Sequence, residues 1–398
     1  MKLKRIPEDF QVEELTDVAP SKGPFALYRL SKRWLGTPEA VEAILECWRL
    51  ERPRVSYGGL KDFHGVTQQH LTIERGPRRD LHQARFDLSY LGQVPRPFHA
   101  RDVLGNRFAV VLRDLAPAAD RCQTVLSALA SQGVPNYFDD QRFGSVGHSG
   151  QFIAEPWCRG DYERALWLAL ADPNDHDTPA DVDEKTFLRD HWGDWPVCLA
   201  RRSHPDRRRI VAFLADRPGD FRAAMARLPI DLRSLYASAF QSHLWNQLLD
   251  RYLRTLCRPE QLGVLPLRLL PVAYPRELAP RQAATLAGCQ LPLPSARLKP
   301  EPGPIRDLLD ETLRQSGIEL RQIRIKYPRD TFFSKGYRSA MFVPQQLSHA
   351  LEPDELYAQR QKLSLAFTLS RGCYATLLVK RLHAELESAC PSLPPQPE

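Results

Sequence analysis

The stretch Gly59-Leu60-Lys61-Asp62-Phe63-His64-Gly65-Val66-Thr67-Gln68-Gln69 sets a lone carboxylate between two groups able to carry positive charge, Lys61 and His64. A cationic neighbour favours the ionised form of a carboxylic acid. An ionised aspartate at the end of a strand can act as a nucleophile or as a general base. The same residue types after Gly58-Gly59 also make an ordinary exposed turn, and the residues by themselves leave both readings open. Elsewhere the chain offers less chemistry. The cysteines Cys47, Cys122, Cys158, Cys198, Cys257, Cys289, Cys373 and Cys390 form no Cys-x-x-Cys pair, and the histidines show no His-x-x-x-His spacing. No metal site is therefore expected, and the cysteines read as small buried apolar residues. The acidic run over 171–185 lacks the turn glycine of a calcium loop and contains Pro173 and Pro179, so it reads as a solvated loop.

Positioning Asp62 requires a frame, and the sequence supplies one. Val55 and Tyr57 predict a strand that runs into Gly58-Gly59. Phe10-Gln11-Val12, Phe25 to Leu30 and Phe108 to Leu112 also have strand composition. Thr37-Pro38-Glu39 reads as a cap, a first-turn proline and a first-turn acid, ahead of a helix with Val41, Ile44, Leu45 and Trp48 on one face. Further helices are expected near Cys122 to Ser131, over Leu235 to Leu253, over Pro304 to Ser316 and over Tyr374 to Ser388. The proline-dense segment 258–305 should form loops around short elements, and the proline-rich tail after Cys390 should fray. Arg321-Gln322-Ile323-Arg324-Ile325-Lys326 alternates like a strand with one charged face. The mixture is that of an α+β protein.

A chain of 398 residues is long enough for two to three domains, and 43% hydrophobic residues can build a core. No apolar run reaches the roughly 18 residues of a membrane span. The charged amino terminus has no apolar stretch behind it, so a secretory signal is not expected, and a reducing cytoplasm is. The formal net charge is +7, carried mostly by arginine, and the sequence pI is about 9.0. Arginine-rich basicity suits a polyanion, although a GC-rich genome yields a similar composition. Two clusters stand out, Arg201-Arg202 with Arg207 to Arg209, and Arg321, Arg324, Lys326 and Arg329. Such clusters are also the ordinary content of a solvated face.

A resemblance narrows these readings. The segment around Asp62 resembles the Gly-x-Lys-Asp-x-x-Ala-x-Thr-x-Gln signature of the TruD family of RNA pseudouridine synthases. Lys4 to Glu13 resembles the family's opening Lys-x-x-Pro-Glu-Asp-Phe-x-Val-x-Glu, and Gly105 to Phe108 its Gly-Asn-x-Phe strand. Asn136 to Gly144 is similar to Asn-Tyr-Phe-Gly-x-Gln-Arg-Phe-Gly, and Ser238 to Leu249 to a Ser-Ala-x-x-Ser-x-x-Phe-Asn helix. Arg338 to Met341 with Pro344 to Ser348, and Gly372 to Thr376, are similar to the closing motifs. The motifs occur in family order from residue 4 to residue 376; Asp139 replaces a family glycine and Gly65 a family alanine.

The resemblance implies an enzyme that converts a uridine in RNA to pseudouridine, with tRNA at position 13 as the first expectation and with no cofactor. It implies that Asp62 is catalytic, that Asn136 and Phe138 line the site, and that Lys4 lies near it, paired with Asp62 or with a phosphate. Phe138 would stack on the extruded base and Asn136 would pair with its polar edge. Lys61 is expected beside the substrate, and Arg142 either supports the site or forms a buried structural ion pair. The implied fold is an α+β catalytic domain with a mixed sheet, formed by residues 1–150 and 331–398. A TruD-specific α/β domain over 151–330 interrupts it, and its basic clusters would line an RNA cleft. A monomer is expected. The alternative is an RNA-binding chaperone on the same fold with little or no catalysis.

Overall fold

In a computed structural model of the chain, residues 1–116, 119–201 and 204–387 are described. Arg202 and the proline-rich tail with Cys390 lie outside them. Two compact units result. The first joins residues 1–134 to the carboxyl-terminal segment from Phe342 onward; the second is Pro135–Met341. The division thus falls after Val134 and after Met341, against expected boundaries near 150 and 330. Asn136, Phe138 and Arg142 consequently belong to the second unit, and Asp62 to the first.

The first unit is built on a mixed sheet. Its strands are β1 (Lys2–Leu3), β2 (Phe10–Leu15), β3 (Phe25–Arg33), β4 (Val55–Tyr57), β5 (Val66–Glu74), β6 (Leu81–Gln83), β7 (Phe86–Val94) and β8 (Gly105–Leu115), with a carboxyl-terminal hairpin of Gln345–Pro353 and Gln361–Ser370. The order runs from that hairpin through β8, β2, β5, β3 and β7 to β6. Only β2 and β5 are parallel, with Val12 opposite Thr67; the other pairings named here are antiparallel. The short strands β1 and β4 attach to β8 and β5.

Strand β3 explains why the sheet is covered on both sides. Ala26, Tyr28 and Leu30 pack with Val41 and Ile44 of helix α1 (Thr37–Trp48), whereas Leu27 packs with Phe98 and Val103. All of these are buried, so each of the two faces removes apolar area from water at about 25 cal/mol per Å². Arg113 on β8 ties the ends of the unit together. It is buried and bonds Asp9 at 2.9 Å, Asp354 at 2.9 Å and Glu355 at 3.0 Å.

The second unit is mainly helical. Trp157, Leu166, Leu188, Trp195, Ile210, Leu214 and Met225 form one core, closed by Tyr236 from the long helix Ile230–Leu256. Among its described residues the unit has two short antiparallel ribbons, Leu262–Leu265 with Val272–Pro275 and Gln290–Pro292 with Tyr337–Ser339. Two sequence expectations need correction here. The second half of the 171–185 run is not a loop: Pro179–Asp190 is a helix, because Thr178 caps it and Pro179 sits in its first turn, where a missing N–H does no harm. The segment 321–326 is not a strand. Leu320–Gln322 forms a short 3-10 turn, in which the Gln322 side chain bonds the Glu319 N–H.

Candidate active site

The Asp62 loop spans the gap between β4 and β5, and its shape comes from packing and from backbone bonds. A Cβ at Gly58 would come within 2.5 Å of Val103, and one at Gly65 within 2.5 Å of the Phe10 carbonyl. Gly65 also has φ of 152°, a region that favours glycine. Thr37 acts differently from the expected cap. It is the first helical residue, and its Oγ1 accepts the Lys61 N–H at 3.0 Å while donating to Gln69 Oε1 at 2.8 Å. Gln69 Nε2 in turn donates to the Gly59 carbonyl at 3.2 Å.

Beneath the loop lies Lys32, buried at 2% exposure. Its ammonium donates to the carbonyls of Leu35 at 2.7 Å, Asp62 at 2.8 Å and Lys61 at 3.4 Å. Burial pulls its pKa down to about 8, against the opposing pull of Asp62 and Glu39. Three donors meet three carbonyls, so the backbone at Asp62 is fixed from below.

The Asp62 carboxylate itself is left accessible. Its side chain is 38% exposed, and Lys4 Nζ lies 3.4 Å from its Oδ1. Lys4 adopts φ of 56° and lies over the Phe10 ring, 3.9 Å from its centroid. Of the two roles expected for Lys4, pairing with Asp62 is the one seen. Lys61 does not face Asp62. Its ammonium pairs with buried Glu14 at 3.0 Å and donates to Asn106 Oδ1 at 2.6 Å. Burial pushes the Glu14 carboxyl up, but bonds from His70 and the charge of Lys61 outweigh it and hold the acid below its ordinary range. Lys61 is therefore a structural cation that anchors the loop to β2 and β8.

The second unit holds the other expected residues as one connected group. Phe138 is clamped to the long helix: its N–H donates to Asn246 Oδ1 at 2.8 Å, and its carbonyl accepts from Asn246 Nδ2 at 2.8 Å. The Phe138 ring lies edge-on to Trp245, with the Arg338 guanidinium 4.1 Å and the Arg142 guanidinium 5.4 Å from its centroid. Asn136 uses both ends of its amide. Nδ2 donates to the Ser339 carbonyl at 3.1 Å, and Oδ1 accepts from Arg338 at 2.6 Å. Arg142 donates to Ser238 Oγ at 3.0 Å, on the same helix. Asp139 has φ of −84°, so the position of the family glycine needs no left-handed backbone here.

The basic clusters are less free than their sequence suggests. Arg207 lies against Asp181 at 2.9 Å and Glu184 at 2.6 Å, and Arg208 donates to the Leu199 carbonyl. Among the described residues no group of three or more histidines, cysteines, aspartates or glutamates is arranged to hold a metal ion. No described helix is long and apolar enough to cross a membrane.

The structure brings the expected Lys4 and Asp62 together, and beside them it places groups that sequence reasoning did not assign to the loop, Lys32 and Thr37. Arg338 was visible as a motif residue. Lys32 carried no signal, since a lysine within a strand usually marks a solvent-facing position.

A mixed sheet accompanied by helices is the architecture of the pseudouridine-synthase type of α+β protein. The family model described as tRNA pseudouridine synthase D (TruD) matches residues 1–262. The chain therefore belongs to the TruD family. It is 28% identical over 392 residues to the tRNA pseudouridine synthase D of Aquifex aeolicus, covering 96% of this chain and 98% of that one. It is 26% identical over 393 residues to the tRNA pseudouridine synthase D of a Leptospira interrogans strain, covering 96% and 95%. Its fold matches the crystal structure of a TruD protein from Methanosarcina mazei with a TM-score of 0.70, at 22% identity, covering 96% of this chain and 93% of that one.

Proposed function

We propose that the protein isomerises a uridine of tRNA to pseudouridine, at position 13, with Asp62 as the nucleophile. The observation that carries this reading is the state of Asp62. Its backbone carbonyl is gripped by Lys32, whereas its carboxylate is partly exposed and oriented by Lys4. A buried structural aspartate would have its carboxylate surrounded by donors, as Asp9 and Asp354 have around Arg113.

In the reaction the N1–C1′ glycosidic bond breaks, the base turns, and a C5–C1′ bond forms. The C5 proton leaves and N1 gains a proton, so the isomerisation is balanced without oxidant, reductant or energy source. An ionised carboxylate that reaches C1′ or the pyrimidine ring supplies the covalent step. Phe138, Asn136 and Arg142 are the residues proposed to receive the extruded base. The Arg338 guanidinium against Phe138, held by Asn136, adds a cation to that group. The reading carries with it a monomeric cytoplasmic enzyme.

The test is release of tritium from C5 of uracil in tRNA. Wild type releases it and Asp62→Asn does not, with RNA binding kept. Binding without release by the wild type would favour an RNA chaperone instead.

A further inference from the structure

Three of the large apolar side chains exposed on the chain gather at one place. Trp34 is 37% exposed, Leu60 68% and Phe63 41%, and all three belong to the Asp62 loop or to the turn after β3. With His64, also exposed, Trp34 and Phe63 form a ring cluster. The centroid distances are 6.3 Å for Trp34–Phe63, 5.0 Å for Trp34–His64 and 4.9 Å for Phe63–His64, each pair edge-on at 73° to 90°. Edge-on packing avoids the parallel stack in which two ring faces are lost to each other.

Trp34 also sits at φ of 48°, an uncommon backbone for a bulky residue, where asparagine or glycine would be cheaper. A tryptophan held there in partial exposure adds nothing to the core beneath α1. Beside the rings the exposed Arg85 guanidinium lies 6.0 Å from the Phe63 centroid, and among the described residues no carboxylate lies within ion-pair distance of it. Partly exposed rings beside an arginine are what a single-stranded nucleotide recognises, the base by stacking and the phosphate by charge. An apolar protein partner would leave the Arg85 charge unanswered.

We propose that Trp34, Phe63 and His64 form a stacking ledge for an unpaired base next to the target uridine, with Arg85 meeting its phosphate. This rests on the RNA-modifying reading of Asp62. It makes the ledge a specificity determinant, because only a flexible, unpaired neighbour can lie on it. Phe63 and His64 follow the nucleophile directly, so a base stacked there registers the next nucleotide against Asp62.

The experiment uses the full chain and unmodified tRNA, with single-turnover tritium release and dissociation constants over a range of salt. Trp34→Ala and Phe63→Ala should each weaken binding about 5- to 150-fold, the range of one lost stacked base. Their slope of log affinity against log salt should stay at the wild-type value, because stacking releases no counterions. Arg85→Gln should lower that slope by about one. Trp34→Phe should restore binding, whereas Phe63→Leu, equally apolar but without a π face, should not. Unchanged affinity in both alanine variants overturns the ledge, as does weaker binding with a reduced salt slope. Asp62→Asn serves as the separating control. Should it retain activity while the ledge variants behave as stated, the nucleophile assignment fails and the ledge stands.

Discussion

The Nζ of Lys32 lies 2.8 Å from the main-chain oxygen of Asp62, so the proposed nucleophile is held through its backbone, while its reacting group keeps the longer Lys4 contact of 3.4 Å. This separates two requirements that conflict in a catalytic carboxylate. Rigid placement calls for many hydrogen bonds, yet hydrogen bonds to the carboxylate weaken it as a nucleophile. Here the placement comes from the amide chain of residues 59–62, gripped by Lys32, Thr37 and Gln69.

The pKa of Lys32, lowered to about 8 by burial, gives a pH prediction. The folded state gives up the proton more readily than the unfolded one, whose lysine titrates near 10.4. Below pH 8 the buried charge disfavours folding; between 8 and about 10.4 the unfolded state binds more protons and this disadvantage fades. Lys32 alone thus makes the protein no less stable above pH 8, but a neutral amine has only two N–H donors for three carbonyls. Single-turnover release should fall through an apparent pKa near 8 without a matching fall in melting temperature. In Lys32→Met the limb near pH 8 should be missing and the rate low throughout.

Lys4 should separate catalysis from stability in another way. Its contact with Asp62 is partly exposed, and such pairs contribute about 0–1 kcal/mol. Lys4→Met should leave the melting temperature within about 2 °C of wild type. Release of tritium should drop roughly tenfold, which corresponds to about 1.4 kcal/mol of barrier. An unchanged rate would remove Lys4 from the site.

Asn246 should matter through a residue it holds. Replacing it with alanine removes the bonds that Asn246 makes to the buried Phe138 N–H and C=O. An unsatisfied buried group costs about 1–3 kcal/mol. Asn246→Ala should therefore destabilise the protein measurably in urea and slow the reaction, while Asn246→Asp, which keeps the acceptor, should recover part of both.

Arg113 is a prediction about stability alone. Removing one member of a buried charge network typically costs about 3–5 kcal/mol, and Arg113→Met leaves Asp9 and Asp354 facing each other without a cation. Bonds from Arg113 and Lys362 lower the Glu355 carboxyl to about 2, and hydrogen bonds outweigh burial to lower Asp354. Both acids titrate lower folded than unfolded, so their contribution is present above the ordinary carboxylate range and fades as pH falls toward 2. Urea melts over that range should show the wild type losing its advantage over Arg113→Met as the acid limb is descended.

Much of the frame was legible because its signals are local. Helix α1, strands β2, β3, β4 and β8 and the long helix lie where periodicity and composition put them. What escaped depended on tertiary partners. Thr37 reads as a cap because threonine before proline commonly is one, yet its hydroxyl is drawn to Lys61 and Gln69 from a distant segment. Lys61 reads as a partner for Asp62 because it adjoins it, but successive side chains diverge, and Glu14 waits on the other side. Alternation over 321–326 misled because, among the described residues, no strand pairs with that segment to complete a ladder. Arg207 looked free because its acids, Asp181 and Glu184, lie a helix away in the sequence.

Strand β8 has β2 on one side and Gln361–Ser370 on the other. A ribosome delivers Asp62 and every group that grips it well before it delivers that last partner. Until residues 361–370 emerge, β8 presents an open row of donors and acceptors, and an interrupted translation product would keep it so. Such fragments carry Asp62 on a sheet whose last neighbour strand is missing.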